Sequence, residues 1–103
     1  MYKVSVMYPN EEGARFDFDY YCNTHMKLVT EQLKPFGLVR TGVDKGISGG
    51  AGAKAPYVCM GHLYFERADG YDEGIKTAGP ALRADIANFT DVTPVRIISE
   101  VLE

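Results

Sequence analysis

Apolar and polar residues alternate from the second position of the chain. Tyr2, Val4, Val6 and Tyr8 share one face of residues 2–8, and Lys3, Ser5 and Met7 share the other. A period of two is that of a β-strand. Pro9-Asn10-Glu11-Glu12-Gly13 closes it with turn chemistry. The period then lengthens. Phe18, Tyr21, Cys22, His25, Val29 and Leu33 recur at three- and four-residue steps, which predicts one amphipathic helix. Asp17 is placed to cap it, because a side-chain oxygen at that position accepts the free N–H groups of the first turn. Pro35 and Gly37 stop it.

Leu38–Lys45 reads as a weaker strand, with Leu38, Val39 and Val43 as its apolar content. The Gly/Ala-rich stretch that follows is expected to be a mobile excursion over 45–56, because side chains this small bury too little to offset backbone ordering. Tyr57–Phe65 is the strongest strand and is apolar on both faces. Tyr57, Cys59, Gly61, Leu63 and Phe65 lie to one side, and Val58, Met60, His62 and Tyr64 to the other. Residues 69–78 predict a second helix loosened by Gly74. Gly79-Pro80 is expected to break it, leaving 81–86 as a short further turn. Residues 92–102 form a last strand.

The order β-α-β-β-α-β predicts an α+β, ferredoxin-like domain over residues 1–103, with a four-stranded antiparallel sheet and two helices on one face. The other face of such a sheet is ordinarily polar and solvated. Here the third strand is apolar on that side too, and an apolar sheet face calls for a partner. Two copies packed sheet to sheet would form a symmetric homodimer with a barrel-like core.

Composition narrows the functions. A chain of 103 residues is one domain's worth with a thin core, which association would thicken. The net charge is −3 and the lysines and arginines are scattered, which leaves no footprint for nucleic acid or for an anionic membrane. No apolar stretch approaches a membrane span. Cys22 and Cys59 show neither a CxxC nor a zinc spacing, so a cytoplasmic protein with reduced thiols, no metal and no cofactor is expected. The glycines of 46–52 lack the order of a phosphate-binding loop.

His25 is the sharpest candidate for chemistry. It lies on the apolar stripe, and an imidazole there serves as acid, base or hydrogen-bond donor. Tyr21 is its neighbour one turn earlier, and the two form the candidate catalytic pair. A buried, hydrogen-bonded core histidine is the plainer alternative. The candidate ligand-binding residues are Tyr8, Tyr20, His62, Tyr64, Asn88 and Thr90. Tyrosines that converge make an apolar cavity with a few polar points, the usual build of a site for a small hydrophobic molecule. His62 joins His25 in that cavity if its strand face meets the helices, and becomes an interface residue if it meets a partner sheet. Asn88 and Thr90 either turn the chain into the last strand or line the cavity rim. Asp17 and Asp19, two apart at a helix start, are explained by capping.

Three segments carry a resemblance to a known family. They are Val4-Ser5-Val6-Met7-Tyr8-Pro9, the helical Phe16-Asp17-Phe18-Asp19-Tyr20-Tyr21-Cys22-Asn23-Thr24-His25-Met26, and Asp85-Ile86-Ala87-Asn88-Phe89-Thr90-Asp91 running into Thr93-Pro94-Val95. Together they resemble the EthD family of the dimeric α/β-barrel superfamily, named for its link to bacterial degradation of ethyl tert-butyl ether. The second segment fits that family's Tyr-Tyr-x-x-x-His helix. Lys27 and Ala87 stand where the family often has proline. The resemblance implies the fold and the dimer. It also implies a small hydrophobic metabolite held between helices and sheet, in a cofactor-independent catabolic or biosynthetic enzyme with His25 as acid/base. The alternative is a non-catalytic accessory or carrier protein for a partner oxygenase.

Overall fold

The structure is a computed structural model that describes residues 1–103. Strands β1 (Tyr2–Pro9), β2 (Leu38–Lys45), β3 (Tyr57–Phe65) and β4 (Val95–Glu100) form one sheet in the order β2-β3-β1-β4. Every neighbouring pair is antiparallel. The first helical segment runs through α1 (Phe18–Tyr20), a π turn (Tyr21–His25), α2 (Met26–Leu33) and a 3₁₀ turn (Lys34–Phe36). The second is α3 (Gly70–Ile86). This is the ferredoxin-like β-α-β-β-α-β arrangement, with both helical layers on one face of the sheet.

That face carries the core. Val4 and Tyr8 on β1, and Cys59, Leu63 and Phe65 on β3, are buried against Tyr21, Val29, Leu33, Ala78 and Leu82 of the helices. Asp17 caps the first helix by accepting the Tyr20 N–H, as its position predicts.

The first helix departs from a plain α-helix at its chemically interesting stretch. The Met26 N–H bonds back to the Tyr21 carbonyl, a five-residue step that widens one turn. The extra residue rotates the stripe: Tyr21, His25 and Met26 face the core, and Cys22, expected on the same stripe, is exposed. Single π turns of this kind recur at functional sites.

The expected break at Gly79-Pro80 does not occur, because α3 is continuous through Pro80. Pro80 is exposed, so its ring projects away from the core while Gly70, Gly74, Ala78 and Leu82 hold the opposite face in contact. Gly74 does not loosen the helix. A Cβ there would lie 2.6 Å from Leu33 Cδ2, so the bare backbone is what lets α3 approach α2 closely. The last strand is shorter than the sequence pattern suggests, because 92–94 still belong to the connection. The Gly/Ala-rich loop is tied at its base: the Gly46 N–H bonds Val58, the Asn10 side chain bonds the Ala55 carbonyl, and Ala55 is buried.

The sheet face away from the helices is open. Val58 and Met60 are half-buried there, and Val95 and Ile97 are about half exposed (49% and 52%). His62 and Tyr64 lie on this face. His62 sits between Ser5 (Oγ to Nδ1, 3.0 Å) and Asp44 (Oδ2 to Nε2, 3.0 Å). The Arg40 guanidinium covers the Tyr64 ring at 3.7 Å.

Candidate functional site

The space between the helices and the sheet holds a cavity of about 270 Å³. Val6 and Tyr8 of β1 and Leu63 of β3 form its floor. Tyr21, His25, Met26 and Val29 form one wall, and α3 contributes Tyr71, Ile75 and Leu82 opposite. Arg83 and Ile86 of α3 and Arg96 of β4 stand at the mouth, where the cavity continues into an outer groove.

A glycine makes room for the aromatic wall. A Cβ on Gly61 of β3 would overlap the Tyr21 hydroxyl, so Tyr21 reaches the sheet only because position 61 has no side chain. The Tyr21 ring then stacks on His25 (5.4 Å between centroids, 15° between planes). Phe89, fully buried, packs against both rings, 4.7 Å from His25 and 4.9 Å from Tyr21. Two rings thus hold the imidazole in orientation.

Its chemistry is set by Asp85 at the end of α3. Asp85 Oδ2 lies 2.8 Å from His25 Nδ1, and Oδ1 accepts from the Tyr20 hydroxyl (2.6 Å) and from Asn88 Nδ2 (2.9 Å). Burial acts to raise the Asp85 pKa, but the hydrogen bonds from Tyr20, Asn88 and His25 outweigh it, and the carboxyl titrates below its ordinary value. Asp85 is therefore ionised at neutral pH and can only accept. The proton of a neutral His25 must sit on Nδ1, so Nε2 carries the lone pair. No protein group bonds Nε2, and every side-chain nitrogen or oxygen sealed from solvent has a partner. Nε2 therefore keeps an opening, and the space beside His25 is the cavity.

Two phenols face the same space. The Tyr8 pKa is raised by burial, against the pull of the Tyr21 hydroxyl and the Arg96 guanidinium. The Tyr21 pKa is raised by burial and then by Tyr8 and Cys59. Both remain protonated at neutral pH and are hydrogen-bond donors. Tyr20 is also held protonated, first by its bond to Asp85. Cys59 is no nucleophile: burial, then the charges of Cys22 and Asp44, push its thiol up to about 12.

The sequence candidates thus separate into groups. His25, Tyr21 and Tyr8 line the cavity. Tyr20 and Asn88 do not line it but grip Asp85 from outside. Thr90 is buried, donating to the Arg15 carbonyl (2.6 Å) and accepting from the Val92 N–H (3.1 Å); it pins the segment before β4 and borders the outer groove. His62 and Tyr64 point to the opposite face of the sheet, because the pleat puts them out of phase with Gly61 and Leu63. Reading the sequence alone missed Asp85, Tyr71, Arg83 and Arg96. Asp85 had a signal in its place within the Asp85-Ile86-Ala87-Asn88 segment. The arginines had none, because their meeting depends on how α3 and β4 lie together.

No protein-family model and no curated protein matches the chain. Solved structures do. An EthD-like protein from Ralstonia eutropha JMP134 superimposes with a TM-score of 0.93 at 41% identity, covering 99% of this chain and 92% of that one. An EthD family protein from Bacillus halodurans C-125 gives 0.74 at 25% identity, covering 99% of both. A dimeric ferredoxin-like protein of unknown function from Thermobifida fusca YX gives 0.55 at 13% identity, covering 97% and 89%, a likeness of fold. With a relative this similar over nearly its whole length, and with the ferredoxin-like sheet and helices that the two share, the chain belongs to the EthD-like family.

Proposed function

We propose that the protein binds a small hydrophobic metabolite in the helix–sheet cavity and catalyses proton transfer on it with its own side chains. The observation that carries this reading is the Asp85–His25 bond on Nδ1, which leaves the Nε2 lone pair as a base toward the cavity. In this reading Nε2 removes a proton from a carbon of the ligand and returns it elsewhere. Asp85 stabilises the imidazolium formed in between. Tyr8 or Tyr21 donates a hydrogen bond to the oxygen on which negative charge develops. A mostly apolar lining keeps water away and strengthens each of these interactions.

The active form in this proposal is a homodimer joined through the open sheet face. Its half-exposed Val95 and Ile97 beside Met60 and Val58 support it, as does the likeness of fold to a dimeric ferredoxin-like protein. Sedimentation at micromolar concentration is expected to give a dimer, and a monomer would remove this part of the proposal.

The test of the function is His25→Phe, which keeps a ring in contact with Tyr21 and Phe89. Small molecules that co-purify with wild type are identified by mass spectrometry and offered to both proteins. We expect the variant to keep fold and dimer and to lose turnover. Unchanged turnover would end the catalytic reading, and binding without turnover in both proteins would favour a carrier.

A further inference from the structure

The chain has five arginines, and three of them are engaged. Arg15 donates to the Ala87 and Asn88 carbonyls, Arg40 covers Tyr64 and Arg67 pairs with Asp69. Arg83 and Arg96 have no hydrogen bond, ion pair or ring partner. These are the two that stand at the cavity mouth, and no carboxylate lines the cavity beside them. In a chain of net charge −3, these two guanidinium groups make a local positive patch at one opening.

Local structure aims them. Arg83 lies back along α3 over Gly79: a Cβ on Gly79 would come within 2.9 Å of Nη1 and 3.6 Å of Nη2. Gly79 itself lines the cavity, so the missing side chain opens the place the guanidinium takes. Arg96 is paired across the sheet with Val6 of the cavity floor and projects to the helix side. Both side chains are exposed, so neither is needed to fill the core. The outer groove between them holds one carboxylate, Asp91. Among the residues that line the mouth and groove, two positive charges stand against one negative, a net of one positive.

We propose that the ligand is an apolar molecule carrying one carboxylate, its apolar part in the cavity against His25 and its carboxylate held at the mouth by Arg83 and Arg96. This rests on the cavity reading above and adds the ligand's charge and orientation. A guanidinium matches a carboxylate with paired N–H donors. One net positive charge suits a monoanion better than the dianion of a phosphate ester. With the acid group fixed at the mouth, carbons of the apolar part rather than the acid are presented to Nε2.

The test uses three probes on one ring system: 2-naphthoate, the neutral 2-naphthalenemethanol and 2-naphthyl phosphate. Dissociation constants are measured by calorimetry on wild type and on the double variant Arg83→Gln/Arg96→Gln, whose fold is checked by circular dichroism. In wild type we expect the carboxylate to bind at least about tenfold tighter than the alcohol. In the variant that preference should vanish while affinity for the alcohol holds. Equal affinity for carboxylate and alcohol in wild type overturns the inference and leaves the role of His25 standing. Tighter binding of the phosphate overturns the assignment to a carboxylate. Failure of all three probes to bind wild type overturns the inference and counts against the cavity reading as well.

Discussion

Replacing Asp85 by asparagine keeps the shape of the side chain and changes only its hydrogen-bond chemistry. In the native protein three donors converge on its two oxygens, from Tyr20 and Asn88 on Oδ1 and from His25 on Oδ2. An amide offers one oxygen and one NH2. If the oxygen stays with Tyr20 and Asn88, the NH2 faces Nδ1, and His25 must move its proton to Nε2 to accept it. The opposite flip would set the new NH2 against the NH2 of Asn88, which cannot accept, so the first arrangement wins. The base at the cavity then becomes a donor. Three bonds also lose their charge assistance, each worth about 1 kcal/mol. Because Asp85 is partly solvated, about 2 kcal/mol in total is a fair expectation, or roughly a 10 °C fall in Tm for a domain of this size. The loss should depend on pH. A carboxylate with a lowered folded pKa contributes stability above its unfolded pKa of about 4 and loses it as pH falls through the folded value. The gap between wild type and variant should therefore close in acid. Thermal melts from pH 3 to 8 measure the gap. Nitrogen NMR at alkaline pH, where an imidazole is neutral, reads the tautomer. An unchanged Tm, a gap that widens in acid, or an Nδ1 proton that survives in the variant would show that Asp85 does not set the tautomer of His25 through an ionised carboxylate.

Further outcomes follow from packing. Gly61→Ala drives a Cβ into the Tyr21 hydroxyl and should cost about 1–3 kcal/mol in denaturant titration, with loss of ligand binding as the Tyr21–His25 stack shifts. Pro80→Ala should stabilise by about 1–2 kcal/mol, since it restores a helix-interior N–H at an exposed position and returns only part of the gain as unfolded-state freedom; a lower Tm would count against it. Ile97→Lys places a charge on the open sheet face, and sedimentation should show monomers with the fold retained; a persistent dimer would move the interface elsewhere.

Much of the fold was legible because the residues that build it repeat. Alternation in β1 and β3 and the stripe of the first helix are local periods, and each reappears as a buried face. The sequence reading erred where packing outweighs local propensity. Pro80 reads as a helix breaker, yet Gly74, Ala78 and Leu82 hold α3 together on the other side. The π turn left no local mark, and it moved Cys22 from the core stripe to the surface. The site was half legible. His25 and Tyr21 announce themselves as polar rings on an apolar stripe. Asp85 is remote from them in sequence, 60 residues beyond His25, and it acts on the imidazole only through tertiary contact. For His62 the two-sided strand left the choice of face open, and the register with Ser5 and Gly42 decides it.

Solvent proton exchange reports on the base at Nε2 without knowledge of the ligand. A base poised at Nε2 in a cavity that opens to solvent should exchange an acidic C–H proton of its ligand with solvent. A small-molecule extract of the source cells is incubated in D2O with wild type, with His25→Phe and without protein, and mass spectrometry follows deuterium uptake. At least one compound is expected to gain deuterium with wild type alone. Uptake that is equal for wild type and a folded His25→Phe variant, or no uptake dependent on the protein at all, would count against it.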